Sequence, residues 1–352
     1  MKSIIDYLHS HLNDSFFEVG FSNVDALIFS AFTYARFTQV NDGVSIEELS
    51  KQPLDLSQVR VKEDLELVKL MGQSKRYGAL TASDYTSILK VGYQFGAITL
   101  ADETSLYIAF RGTDNTIEGW KEDFDMSFSS IVPSQIASAE YVERVANKYP
   151  EKKLYIMGHS KGGNLAVYAY LKLPEELLSR VVTVYNYDGP GFNEVMNLSS
   201  RLQKYEKHIH TFVPESSVVG MLLEHVENYK VVKSSRIGIF QHDPYSWFVE
   251  KDNFFFLTDR DRSSYYLDSV IHDWLKDIKP EEREEFINLV YSAIAESGYE
   301  HFDEVLKFFF LDIKNLRSFI SKMDDEKKTL VKTILKKLVK AQNDTLKIYL
   351  GK

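Results

Sequence analysis

The segment Gly158-His159-Ser160-Lys161-Gly162 places one serine hydroxyl between two glycines. The apolar run 153–157 precedes it and the helix-forming stretch 164–173 follows. G-x-S-x-G at a strand-to-helix passage is the sequence form of a nucleophile elbow, a sharp turn that lifts the hydroxyl above a sheet. The nucleophile is forced into a strained backbone conformation there. Large side chains two positions to either side would clash, and Gly158 and Gly162 remove them. Gly163 and Ala166 keep the helix close to the sheet. The chemistry such a hydroxyl performs is acyl transfer. Phosphate-binding loops fit less well: the stretch lacks the G-K-[ST] order and is not G-x-G-x-x-G.

A serine is a poor nucleophile unless a base takes its proton and an acid orients that base. In the strand–turn–helix enzymes that use this elbow, the order along the chain is serine, acid, histidine. Six histidines follow Ser160: His208, His210, His225, His242, His272 and His301. His242 follows the last predicted strand, in Ile237-Gly238-Ile239-Phe240-Gln241-His242, so it is the first candidate and His225 the second. His159, inside the elbow, is expected to point away from its neighbour. Two residues compete for the acid. Asp188 directly follows a predicted strand and precedes Gly189-Pro190-Gly191, a turn that would hold its carboxylate at the sheet edge. Glu215 follows the next strand. Asp188 is preferred.

Two donors must meet the oxyanion. The backbone N–H of Lys161 is one. The loop Phe110-Arg111-Gly112-Thr113-Asp114 supplies the other, since a strand ends there, glycine lets the backbone approach, and Thr113 offers an N–H and a hydroxyl. Arg111 and Asp114 read as a local ion pair. Trp120, Glu122 and Asp123 read as braces for that loop.

These groups require an α/β scaffold to position them. Strand signals occur at 96–100, 106–110, 153–157, 181–187, 209–213, 229–232 and 237–240, with helical stretches between several of them, as at 134–149. That alternation predicts a mainly parallel sheet covered by helices on both faces. Residues 1–90 read as a mostly helical N-terminal region, 91–256 as the core, and 257–352 as a helical C-terminal region with charges of alternating sign. The 352-residue chain is 44 % hydrophobic, carries a net charge of −9 and has no cysteine. Disulfides, thiolate nucleophiles and Cys-ligated zinc are thereby excluded. The acidic balance disfavours nucleic acid as the main partner. No stretch has the apolar length of a membrane span, and Asp6 breaks the N-terminal apolar run. A soluble cytoplasmic protein is expected.

Taken together, these motifs resemble the DUF2974 group of bacterial α/β-hydrolases. The resemblance rests on Phe110-Arg111-Gly112-Thr113-Asp114, Gly119-Trp120-Lys121-Glu122-Asp123-Phe124, Gly158-His159-Ser160-Lys161-Gly162-Gly163-Asn164, Asp188-Gly189-Pro190-Gly191-Phe192, 213–220 and Gln241-His242-Asp243-Pro244-Tyr245-Ser246-Trp247. Wider similarity runs to class 3 lipases, which share the F-R-G-[ST] loop and the G-H-S-x-G elbow. The resemblance covers the chain from about Asp25 onwards and implies an α/β-hydrolase fold with a serine-dependent site at Ser160. Class 3 lipases carry their acid just after the strand that corresponds to 209–213. This chain has Pro214-Glu215-Ser216-Ser217 there and no aspartate, a further reason to prefer Asp188.

The resulting expectation is a serine esterase or lipase-like hydrolase. Its triad is Ser160, His242 and Asp188, its oxyanion donors are Thr113 and Lys161, and its substrate is a small-molecule or lipid-like ester. No metal or organic cofactor is needed. The competing expectation is a hydrolase fold used for binding without turnover. The aromatic runs 254–257 and 308–311 read as core first and as an acyl pocket or lid second. The C-terminal helices read as a solvated surface, with a dimer contact as the alternative.

Overall fold

All six side chains of Ser105–Phe110 are buried. Leu106, Ile108 and Phe110 face one cluster of apolar side chains, and Tyr107 and Ala109 face another. A strand covered on both faces is what a parallel sheet with helices on each side demands. The computed structural model describes residues 2–297 and 320–349, apart from 17, 57–59, 91–92, 115–121, 123–125, 127–130, 193–197, 222, 224–227 and 322.

The strands are β1 (Val44–Ser45), β2 (Thr81–Lys90), β3 (Tyr93–Ala101), β4 (Ser105–Phe110), β5 (Lys153–His159), β6 (Val181–Tyr187), β7 (Ile209–Pro214), β8 (Tyr229–Val232), β9 (Val249–Glu250), β10 (Asn253–Phe254) and β11 (Phe256–Leu257). A nine-stranded sheet has the order β1-β2-β3-β4-β5-β6-β7-β8-β11. Its centre, β4 to β8, is parallel. Antiparallel strands extend it on both sides, β1–β3 at one and β11 at the other. The sheet thus begins at residue 44, inside the region read as helical. Residues 237–240, read as a strand, instead lead into a 3₁₀ turn, Gly238–His242, with Ile237 as its extended cap. The positive φ of Gly238 turns the chain into it.

Helices α1 (Ile4–Ser10), α2 (Asn23–Phe32) and α3 (Lys62–Gln73) belong to the N-terminal part of the chain. Capping boxes start the first two: Ser3 with Asp6, and Ser22 with Asp25. Their apolar residues pack with Tyr107, Met157, Tyr185 and Tyr187 on one face of the sheet. Helices α4 (Pro133–Lys148) and α5 (Lys161–Lys172) cover the other face over Ile108, Phe110, Leu154 and Ile156. The order, topology and covered faces are those of an α/β-hydrolase fold.

Beyond the sheet come α6 (Arg262–Lys276), α7 (Pro280–Ser297) and α8 (Asp325–Tyr349). Trp274 Nε1 donates to the Ile334 carbonyl at 3.1 Å and fixes α6 against α8. Asp261 caps α6 by accepting from Ser264 N. Among the described residues no helix is long and apolar enough to cross a membrane. Phe254 is buried against Tyr187, Phe212 and Trp247, so this end of the aromatic run 254–257 is core. The run 308–311 lies outside the described residues.

Candidate active site

Ser160 is the single residue between the last residue of β5 and the first of α5, and it holds φ 59° and ψ −136°. A non-glycine residue in this region is strained, and the surroundings must hold it there. A Cβ at Gly158 would strike the backbone of Gly162, and one at Gly162 would strike the Phe110 carbonyl. The turn therefore closes only with glycine at both places. Ser160 N donates to the Tyr187 carbonyl at 2.8 Å, which ties the elbow to the end of β6.

Asp188 is the next residue after β6. It also has positive φ, 50°, and its N–H reaches the Phe212 carbonyl on β7 at 2.8 Å. This turn aims a fully buried carboxylate along the sheet edge. His242 Nδ1 donates to Asp188 Oδ2 at 2.6 Å, and Ser217 Oγ donates to Oδ1 at 2.5 Å. With Nδ1 protonated, a neutral imidazole keeps Nε2 as its basic nitrogen. The His242 side chain is 20 % exposed. Among the described residues no hydrogen bond joins Nε2 to the Ser160 hydroxyl. Such bonds are often loose without substrate and tighten in the complex.

The turn that carries His242 is fixed by its neighbours. Gln241 accepts from Ser216 N at 2.8 Å, donates to the Arg236 carbonyl at 2.9 Å, and offers its own carbonyl to Trp247 Nε1 at 2.8 Å. His159 contributes as well. Its Nε2 lies 2.8 Å from the His242 carbonyl, so it must carry the proton, and Nδ1 then accepts from the Tyr34 hydroxyl at 2.9 Å. Burial, the nearby His242 and Arg60 push the His159 pKa well below its usual value. His159 is thus a neutral strut. The loop that holds Ser217 is anchored by the start of the C-terminal region: Asp261 N donates to the Glu215 carbonyl, and Ser264 Oγ to the Ser217 carbonyl.

Among the described residues Glu215 makes no hydrogen bond or ion pair with His242. Its carboxylate lies 3.9 Å from Lys233 Nζ at the surface. The loop Arg111-Gly112-Thr113-Asp114 runs against Ser160. A Cβ at Gly112 would lie 2.5 Å from the His159 carbonyl and 2.9 Å from Ser160 Cβ. Thr113 follows at 8 % exposure.

The expected Arg111–Asp114 pair does not form. Asp114 instead accepts from Arg36 Nη2 at 2.5 Å and from Gln94 Nε2 at 2.7 Å. Arg111 lies over Gly96 and donates to Ser87 Oγ at 3.0 Å. Arg111 and Gly96 are opposed across β3 and β4, which carries the guanidinium along the strands instead of toward Asp114. Burial and the neighbouring Arg36 charge bring its pKa down to about 10. Glu122 accepts from Lys161 Nζ at 2.8 Å. Trp120, Asp123, His225 and His301 lie outside the described residues. His208 ends the 3₁₀ turn before β7, His210 is the second residue of β7, and His272 sits on α6.

Sequence reading missed Tyr34, Gln94 and Ser217. Each bonds to a partner distant in the chain, and no local spacing joins the two. Among the described residues no group of three or more His, Asp or Glu is placed to hold a metal ion.

Solved structures similar to this chain include lipases. One belongs to a family of fungal lipases with an unusual buried polar cluster: 15 % identity, 68 % of this chain and 86 % of that one covered, TM-score 0.43. A triacylglycerol lipase whose catalytic centre is a serine-protease triad shares 18 % identity over 60 % of this chain and 78 % of its own, with a TM-score of 0.40. The triacylglyceride lipase of Rhizomucor miehei shares 19 % identity over 45 % and 68 %, with a TM-score of 0.35. No curated protein matches the chain. The family model described as Mbeg1-like matches residues 71–292, more than half of the sequence, with Ser160, Asp188 and His242 inside the match, and the chain belongs to that family.

Proposed function

We propose that this protein is a serine hydrolase that cleaves carboxylic esters, small or lipid-like, through Ser160, His242 and Asp188. One observation carries the reading: a 2.6 Å His242–Asp188 pair stands at the sheet edge where Ser160 is held in a strained elbow. Glu215, the alternative acid, faces Lys233.

His242 Nε2 takes the Ser160 proton as Oγ attacks the ester carbonyl carbon. The carbonyl π pair moves to oxygen, where the N–H of Lys161 and the donors of Thr113 receive it. Asp188 holds the Nδ1–H tautomer and stabilises the imidazolium. The oxyanion collapses, the ester C–O bond breaks, and His242 protonates the departing alcohol. Water repeats the sequence on the acyl-enzyme and releases the acid. None of these steps requires a metal or an organic cofactor.

A fluorophosphonate probe tests the proposal. Wild-type protein should be phosphonylated at Ser160 with loss of fluoride, Ser160→Ala should not, and p-nitrophenyl esters of increasing acyl length should be turned over only by the wild type. Absence of labelling under conditions that label a control esterase would leave a hydrolase fold that binds and does not turn over.

A further inference from the structure

Lys161 has two functions to fulfil in the proposed reaction. Its N–H faces the oxyanion, while its ammonium is 1 % exposed and pairs with an equally buried Glu122 at 2.8 Å. A buried pair of this kind loses hydration that its attraction hardly restores, so stability alone does not explain it. Its partners give it another meaning. Glu122 also accepts from Gln94 N at 3.1 Å and from Ser134 N, in the first turn of α4, at 3.2 Å. Lys161 Nζ reaches the Gln94 carbonyl at 3.3 Å. The buried Gln94 side chain then donates 2.7 Å to Asp114, the residue after Thr113. Arg36 holds the other oxygen of that carboxylate.

The two proposed oxyanion donors lie on different elements, one on the loop after β4 and one at the start of α5. Gln94, on β3, is bound to both. Donors to an oxyanion act only when they lie about 2.7–3.1 Å from the developing charge and are held there to within about half an ångström. We propose that Gln94 and the Glu122–Lys161 ion pair are positioning residues that set the Thr113 and Lys161 donors in register with each other. The inference rests on the hydrolase reading above. Neither Gln94 nor Glu122 touches substrate. They act through the two donors.

Two variants test this independently. Gln94→Leu cuts the amide link to Asp114. The double variant Glu122→Leu with Lys161→Met replaces the ion pair by apolar groups of similar shape, an exchange that buried pairs often tolerate in stability. In each, kcat on p-nitrophenyl acetate should fall roughly 10- to 100-fold, up to the loss expected for one misplaced oxyanion donor, with KM within about twofold. Phosphonylation of Ser160 should slow by the same factor. Affinity for a boronic acid that forms a tetrahedral adduct should weaken in parallel. Ester binding in a Ser160→Ala background should not change.

A merely structural role would lower the melting temperature and leave kcat per folded molecule intact. A kcat within twofold of wild type in both folded variants, with the wild type still labelled at Ser160, overturns the positioning role and spares the hydrolase reading. A wild type that fluorophosphonate does not label overturns both.

Discussion

Two regions of this protein bury opposite charges to the same depth. Beneath the N-terminal helices, Arg76 holds Asp25 with Nε at 2.8 Å and Nη2 at 2.6 Å, and its remaining donors end on the carbonyls of Ser15, Val19 and Gly20. Tyr77 adds its hydroxyl at 2.5 Å, and the N-cap residue Ser22 its N–H at 2.7 Å. The planar fork matches the carboxylate and every donor is used, so the cluster fastens loop, helix and strand-leading segment together. At the elbow, Lys161 meets Glu122 through one contact with a point charge, beside a residue at positive φ. Depth of burial does not separate a fastening from a working site. Backbone strain next to the charge does, because strain persists only where something over-determines it.

The largest expected effect lies on the strained side. Asp188→Asn leaves the shape of the site and removes the charge that selects the Nδ1–H tautomer. Turnover should fall by about 10³- to 10⁴-fold, as in other triads that lose their acid, while the melting temperature moves little. Steady-state kinetics with a denaturation scan on the same sample separates the two. A loss under tenfold would remove Asp188 from the triad.

The second effect belongs to the fastening. Arg76→Met strands the Asp25 carboxylate in the core at a cost of about 3–5 kcal/mol. For a chain of this size that is roughly a 5 °C drop in melting temperature. The folded fraction should keep its kcat within about twofold. If turnover fell with stability in step, the two regions would be one coupled network and the contrast between them would fail.

The elbow was legible in the sequence because its rule is local and steric: Gly158 and Gly162 are the positions where a Cβ meets backbone. The parallel centre was legible too, since β6 and β8 occupy the apolar runs 181–187 and 229–232. His242 was picked for following a late strand. The structure puts it on a 3₁₀ turn, so its position was inferred through an element that does not form. A four-residue run such as Ile237-Gly238-Ile239-Phe240 does not distinguish a strand from a turn held by side chains, and here the Gln241 amide and Trp247 supply the holding. Arg111 was paired with the nearest acid along the chain. Its position opposite Gly96 carries it away from Asp114, and Arg36, from the segment after α2, takes that carboxylate instead. Gln94, Tyr34 and Ser217 act across 20, 125 and 29 residues of separation, a distance at which sequence spacing holds no information.

His159 provides a pH-dependent test. It is buried and neutral, with its pKa depressed by burial, while in the unfolded chain it titrates near 6.5. The unfolded state therefore binds the extra proton first. The contribution of His159 to stability is complete above about pH 6.5 and is lost as pH falls toward the folded value, at up to about 1.4 kcal/mol per pH unit. His159→Gln keeps a donor for the His242 carbonyl and cannot titrate. Its melting temperature should fall less steeply between pH 6.5 and 4.5 than that of the wild type. Parallel profiles would mean that some other group governs the acid limb.

The smallest effect is expected at Glu215 and it sharpens the assignment of the acid. The Glu215 side chain is 22 % exposed, and its charged partner among the described residues, Lys233, stands 3.9 Å away at 34 % exposure. A pair of that kind contributes about 0–1 kcal/mol. Its backbone does more, because the Glu215 carbonyl receives the Asp261 N–H that starts the C-terminal helices. Glu215→Gln leaves that bond in place. Turnover should stay within about twofold and the melting temperature within about 1 °C. The informative quantity is the ratio to Asp188→Asn. Two carboxylates follow neighbouring strands of one sheet edge, and only the one whose turn has positive φ faces the histidine. If Glu215→Gln proved the more damaging of the two, the acid would have to reach His242 from β7, and the strain at Asp188 would need another explanation.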